Sequence, residues 1–376
     1  MSYLSVFTHT VSLLLLTSLT SMSFGQGLAG YYQGTVPVKS QQSQERRSAT
    51  EDALLQVLVR MSGSLDPQYD DRILQRLSRA SNYVEQFQYQ ALESEGLKDE
   101  GYRELLTLSF SAGAVRKILG DAKLPFWSEN RPNTLIWLAE DNVEFGKQLL
   151  NQASEAPIID SLIDAGNRRG LPIIFPVLDL EDRIALSADD VWSVDEAKLV
   201  EASARYDADV ILVGRYSQTS RGEVWSIWQF FHAGASQSYD SRVTLDEQKS
   251  NAELGENALF PLADFLAERY AILSHGEDSG RLVVEVSGVS DFRAFRKSLD
   301  YLEGLAGVSA LQVAEVKDEG LLLYLESEAS VDKLMSSIKL DSKLVAVAAE
   351  ENALPEWQRG PKGSAENPLQ FRWASR

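Results

Sequence analysis

Apolar positions fall into three successive blocks, each with its own alternation of strand-like and helix-like spacing. In the first block, residues 30–38 have strand composition and end at Pro37. Residues 43–61 then place Ala49, Ala53, Val57 and Met61 four apart, with Leu54 and Leu58 beside them. That spacing predicts an amphipathic helix, and Gly63 is suited to end it. Residues 83–92 and 102–110 read as a strand pair joined by the charged, glycine-bearing ESEGLKDEG. With a short helix over 112–119, the block predicts a β-α-β-β-α unit spanning 26–123.

A connector, LPFWSENRPN (124–133), follows. Its aromatic pair, Phe126 and Trp127, is expected either to plug an interface between units or to touch a ligand. The second block opens on TLIWLA (134–139), a continuous apolar run of the kind buried on both sheet faces. A helix is predicted over 158–169, opened by Pro157 and closed by Gly170. Residues 171–216 are the densest stretch. An apolar run (171–177), an acidic loop, a helix near 195–206 and a second apolar run (209–213) spell a β-loop-α-β unit with parallel strands. Ser193 and Glu196 have capping-box spacing for that helix. Two antiparallel strands (223–231 and 237–245) and a helix (260–273) complete a central mixed α/β domain over 124–276.

The third block begins after the linker HGEDSG (275–280). Its order, β-α-β-β-α-β over 280–349, is that of a ferredoxin-like domain. Residues 350–376 read as a flexible tail, whose Leu369-Phe371-Trp373 alternation could add an edge strand or serve as a partner-binding peptide. The expected fold class is thus α/β (α+β mixed): three small α/β sandwich units, the middle one with a mixed sheet.

Composition narrows the function. The 376 residues carry a net charge of −19, which disfavours a nucleic-acid surface or docking on anionic lipid. There is no cysteine, which removes disulfides and thiolate chemistry, and histidine is confined to His9, His232 and His275. Residues 11–19 are a short apolar run followed by small residues, the layout of a signal peptide over 1–25. The expectation is an exported, periplasmic protein with no membrane span after cleavage.

Candidate chemistry centres on Asp179, Glu181, Asp182, Asp189 and Asp190, placed beyond the end of an expected parallel strand, where α/β sheets favour ligands. Five carboxylates could hold Mg2+ or Ca2+, although the spacing matches no calcium loop. Helix capping and ion pairs with Arg183 and Arg205 are the plainer explanation. No phosphate loop, dinucleotide fingerprint or nucleophile elbow is present. Trp225, Trp228, Phe230 and Phe231 could stack on sugars, but both faces of their strand are apolar, as in a core strand. Arg60 and Arg215 are expected to be paired with carboxylates, with anion recognition as the other option.

Several of these segments together carry a resemblance: TVPV (35–38), QVLVRMSG (56–63), W-x-x-NRP (127–132), TLIWLA, LDLEDR, DVW (190–192), ASARYDADVILVGR and a W-x-x-W hairpin. The set, spread over roughly 30–347, resembles an uncharacterised, mostly gammaproteobacterial exported family catalogued as a domain of unknown function, DUF2066. One departure is Asp207, where the family pattern has glycine; aspartate tolerates the left-handed turn. The resemblance implies an envelope location and no particular reaction. At fold level, the first two units also look like small modules of envelope assembly proteins. Taken together, the sequence leans away from an enzyme and toward a binding or assembly-accessory protein with an envelope protein as partner. A cation-dependent enzyme using the Asp179–Asp190 loop and a carbohydrate-binding module remain as alternatives.

Overall fold

The computed structural model describes residues 28–219, 223–244, 251–273, 280–317, 320–340, 343–347 and 360–374. The expected signal peptide and most of the linker at 275–280 lie outside them. The class is mixed α/β, as expected, with three sheets.

The first sheet belongs to β1 (Gln33–Val38), α1 (Ser43–Ser62), α2 (Asp71–Leu77), β2 (Val84–Ala91), α3 (Glu95–Asp99), β3 (Glu104–Phe110) and α4 (Ala112–Asp121). Its order is β1-β3-β2, so β3 inserts between the strands that flank α1. The four-apart stripe of α1 is wholly buried: Ala53, Leu54, Val57, Leu58 and Met61 pack on Leu106, Leu108 and Phe110 of β3.

The second sheet contains β4 (Thr134–Asn142), β5 (Gly146–Leu150), β6 (Ile173–Ile174), β7 (Val210–Gln218), β8 (Glu223–His232) and β9 (Ala235–Thr244). Its helices are α5 (Pro157–Arg169), α6 (Leu180–Ala185), α7 (Ala188–Ser193), α8 (Glu196–Ser203) and α9 (Ala252–Tyr270). The order β5-β4-β7-β8-β9, with β6 also on β4, is mixed: β6 and β7 both run parallel to β4. As its apolar run implied, β4 is buried on both faces. Ile136 and Leu138 meet α5 and α9, while Leu135 and Trp137 meet α7 and α8.

One expectation changes here. The apolar run 171–177 yields only two strand residues, because Pro172 and Pro176 lack the N–H a ladder needs. The strand and β7 run parallel, as expected, with β4 between them. The β4–β5 hairpin, in a stretch with no clear alternation, was not anticipated.

The third sheet holds β10 (Gly280–Ser287), α10 (Phe292–Glu303), β11 (Val308–Lys317), β12 (Gly320–Ser327), α11 (Val331–Leu340), β13 (Leu344–Ala346) and β14 (Leu369–Trp373). The ferredoxin-like element order is present, but the sheet order is β11-β12-β10-β14-β13. The end of the expected flexible tail is therefore an interior strand, neither mobile nor an edge. It runs parallel to β10 and antiparallel to β13. Three period-two side chains, Leu369, Phe371 and Trp373, are all buried there. Pairing on both sides satisfies backbone groups that burial at an edge would leave exposed or orphaned.

The units are joined where two helices end. Gly63 (φ 71) closes α1 and Gly170 (φ 67) closes α5. Their free carbonyls, the negative ends of two helix dipoles, point into one buried space. Arg131 of the connector fills it. Its guanidinium donates to the carbonyls of Ser128 (2.9 Å), Arg169 (2.8 Å), Gly170 (3.1 Å), Arg60 (2.7 Å) and Trp127 (2.9 Å). It also stacks on the Trp127 ring at 4.2 Å. Arg60 donates to Asn167 O at 2.8 Å and Gln33 O at 2.6 Å, and Arg169 to Gly63 O at 2.7 Å. Burial lowers the pKa of Arg131 to about 9, so it remains cationic at neutral pH. At Gly170 a β-carbon would lie 2.5 Å from Arg131 Nη1 and 2.6 Å from Arg60 Cγ, so both φ and space require glycine.

The expectation of carboxylate partners is thereby corrected for Arg60, whose partners here are carbonyls. Arg215 likewise donates to Trp192 O at 2.8 Å. Peptide dipoles at a helix end supply the negative potential a carboxylate would otherwise supply. Phe126 and Trp127 are buried at this joint. Phe126 exchanges backbone hydrogen bonds with Ile272, and Asn130 donates to Ser337 O at 3.1 Å, so the connector also reaches α11.

Removing this cation should loosen the whole molecule. Arg131→Ala should lower the unfolding free energy by about 3 kcal/mol, the scale of lost charge-assisted bonds plus unpaired buried carbonyls. Arg131→Lys should recover less than half, because one ammonium cannot match a five-donor fork. Urea unfolding of the two variants at pH 7 measures both, and equal stability of the Lys variant and wild type would refute the account.

Candidate functional site

The acidic stretch is built from two short helices rather than a loop. Asp179 caps α6, accepting from Asp182 N at 3.0 Å. It also receives both Arg205 nitrogens, at 2.8 and 2.9 Å. Asp182, whose side chain is fully buried, accepts from Leu178 N (2.8 Å), Tyr206 Oη (2.5 Å) and Arg205 Nη1 (3.0 Å). Tyr206 Oη in turn accepts from Val177 N at 2.9 Å. These contacts hold Leu178 at φ 57, a conformation unusual for a branched side chain. Glu181 lies 3.6 Å from Arg205 and stays largely exposed.

The other two acids sit at the start of α7. Asp190 completes a capping box with Ser187 and receives Lys198 Nζ at 2.6 Å. Asp189 receives Lys147 Nζ at 2.7 Å. The box is therefore Ser187–Asp190 and not Ser193–Glu196. Ser193 is the last residue of α7, Val194 turns left-handed after it, and Asp195 caps α8. Arg205 does neutralise the cluster, whereas Arg183 donates to the carbonyl of Leu178 at 2.8 Å. Asp207 adopts the left-handed turn (φ 49) anticipated for it.

The five carboxylates thus divide into an Arg205 group and an α7 group. Among the described residues, no cluster of three or more Asp, Glu, His or Cys side chains is arranged to hold a metal ion. The bonds from Arg205 and Asp182 N hold the Asp179 carboxyl at about 2. Lys198 and Ser187 hold Asp190 at about 2 as well. Burial and the Asp182 contact push the Tyr206 hydroxyl to about 12.

Between α6 and α8 runs an open groove lined by Leu180, Glu181, Ile184, Ala185, Glu201 and Arg205. Two of its apolar members are strongly exposed, Leu180 by 74% and Ile184 by 77%. Attention to the carboxylates hides these residues in the sequence. The signal that could have found them is Leu180 and Ile184 at i, i+4, unmatched by any core position.

The tryptophan hairpin is only partly core. Trp228 and Phe230 are fully buried, but Trp225 is 49% exposed and carries the Arg242 guanidinium 4.3 Å from its ring centre. The expected double cover fails because α9 packs one face of β8 while α7 and α8 stop short of Trp225 and Ile227 on the other. His232 is structural, bonded to Asp209 O at 2.8 Å and Tyr270 Oη at 2.7 Å.

Comparison with known proteins adds little chemistry. Residues 26–128 match the family model of a domain of unknown function, DUF8605. That match overturns the resemblance to DUF2066, since the family found is a different one and covers the first unit and the start of the connector. No curated protein matches the chain. A solved structure described as "Crystal structure of uncharacterized protein" aligns with 37% of this chain and 91% of its own, at 10% identity and a TM-score of 0.18. So low a score supports no inference about fold or function.

The two depressed carboxyls set a pH dependence. Unperturbed Asp titrates at about 3.9, so their stabilisation is complete above that pH and is lost as pH falls toward 2. An Asp179→Asn/Asp190→Asn variant should unfold at lower urea than wild type at pH 7, and the gap should shrink steadily as pH falls from about 4 to about 2. A gap that stays constant over that range would refute the assignment.

Proposed function

We propose that this chain is a non-enzymatic, exported envelope protein that binds or scaffolds another envelope component through the groove between α6 and α8. The observation that carries this reading is the exposure of Leu180 and Ile184 in that groove, on helices whose carboxylates are already committed to caps and ion pairs. Contiguous exposed apolar side chains rimmed by charge mark interaction surfaces more often than catalytic ones. Glu181 and Glu201 line the groove, and Glu181 remains largely exposed, which suits a partner offering apolar side chains flanked by cations. Export is supported by the apolar run at 11–19 and by a domain match that starts just after it, at residue 26. No helix among the described residues is long and apolar enough to cross a membrane.

A cation-dependent activity would require Asp179 and Asp182 to release Arg205, and so has less support. The half-exposed Trp225, beside Trp192 and Arg215 in a second open groove, keeps carbohydrate binding as a second reading.

Three measurements separate these readings. A photo-crosslinker at Ile184 should capture one defined envelope protein in cells, and the Leu180→Ser/Ile184→Ser variant should lose that partner while its melting temperature shifts by less than about 3 °C, as surface changes do. An unchanged capture profile would sink the proposal. A rise in melting temperature with Mg2+ or Ca2+ that Asp179→Asn/Asp182→Asn abolishes would favour the enzyme instead. Quenching of tryptophan fluorescence by glycan fragments, lost in Trp225→Ala, would favour the sugar reading.

A further inference from the structure

The free edge of the first sheet has a self-complementary sequence. Among the described residues, β2 pairs with β3 on one side only. Leu92 N donates to Arg103 O beyond the Ala91–Glu104 pair. In an antiparallel ladder this fixes the alternation: the N–H and C=O groups of Gln86, Gln88 and Gln90 face β3, and those of Phe87, Tyr89 and Ala91 face outward. Outward-facing backbone groups on a long edge template another strand. Proteins usually block such edges with charge, proline or bulges. Here the charge (Glu85) and the bulge are confined to Val84–Gln86, and residues 86–91 (QFQYQA) carry neither charge nor proline.

We propose that β2 pairs antiparallel with β2 of a second copy, on a two-fold axis through Gln88. Only an even-sum register brings two outward-facing residues opposite each other. Centring on Gln88 places Phe87 opposite Tyr89, Gln86 opposite Gln90 and Glu85 opposite Ala91. Aromatic meets aromatic, amide meets amide, and neither carboxylate faces its mate. Centring on Phe87 would set Glu85 against Tyr89 and Val84 against Gln90, and centring on Tyr89 would set Phe87 against Ala91. Phe87 is 53% exposed and meets Tyr89 edge-on at 6.0 Å on the same face, so a partner's aromatic pair extends an existing one. The product is a six-stranded sheet, β1-β3-β2 continued by its symmetry copy. A net charge of −19 per chain opposes self-association through acidic surfaces, and residues 86–91 carry none of that charge.

The chain has no cysteine, so one introduced thiol is unambiguous. Gln88 on the axis is a non-hydrogen-bonded pair, with Cα atoms about 4.5 Å apart and within disulfide reach. In the purified full chain, Gln88→Cys should form a covalent dimer on mild oxidation. Gln86→Cys should form at least ten-fold less, and Gln86→Cys/Gln90→Cys should restore it. Light scattering should show a concentration-dependent dimer for wild type, lost in Phe87→Lys with the melting temperature retained. A wild type that stays monomeric at every concentration, or equal crosslinking of Gln86→Cys and Gln88→Cys, would overturn the proposal. Loss of the α6–α8 partner leaves it untouched, because it uses a different unit.

Discussion

Two helices end in the same buried space, and their unpaired carbonyls must be satisfied there. That constraint governs the structure. Much of the site is buried, and each carbonyl orphaned there would cost about 1–3 kcal/mol. Arg131 answers it with a planar fork of donors aimed at both helix ends, while Arg60 and Arg169 each reach across from their own helix to the other side. The helices thus exchange arginines, and the connector supplies the third. Because α1 belongs to the first sheet and α5 to the second, the same bonds fix how the two sheets meet. The bonds of Phe126 to Ile272 and Asn130 to Ser337 O carry the arrangement on to the third unit.

The joint lies on the α5 and α9 side of the central sheet, and the surface proposed for binding lies on the other side. There the carboxylates act as local architecture. Asp179 and Asp182 shape the turn into α6 and hold Arg205 and Tyr206 against it, and the result is a rigid mount that turns Leu180 and Ile184 outward. Charge fixes the helix and leaves its apolar side chains on display. The edge of β2 is a surface of different character, defined by backbone groups and register rather than by a side-chain patch.

Elements with strong periodicity were readable in the chain itself. The stripe of α1, the doubly buried β4, the caps of α5 and the alternation of β10 to β12 each follow from residue spacing, because a single face or pair of faces decides those positions. The candidate site was readable as a place but not as a surface. Asp179 and Asp190 announce capping residues by type, yet whether five acids converge or separate depends on how α6 and α7 turn, and Leu178 and Val194 make those turns in a conformation their residue types do not advertise.

By itself the sequence determined the mixed α/β class, the order of the strongly periodic elements and the absence of cysteine. All of these rest on composition and on periods of two or about 3.6 residues within short windows. Tertiary structure alone decided the rest. Arg60 lies 107 positions from the carbonyl of Asn167 that it binds, and Val284 pairs with Leu369. No local pattern encodes such partners, because they are selected by which buried groups remain unsatisfied once the helices and strands have packed.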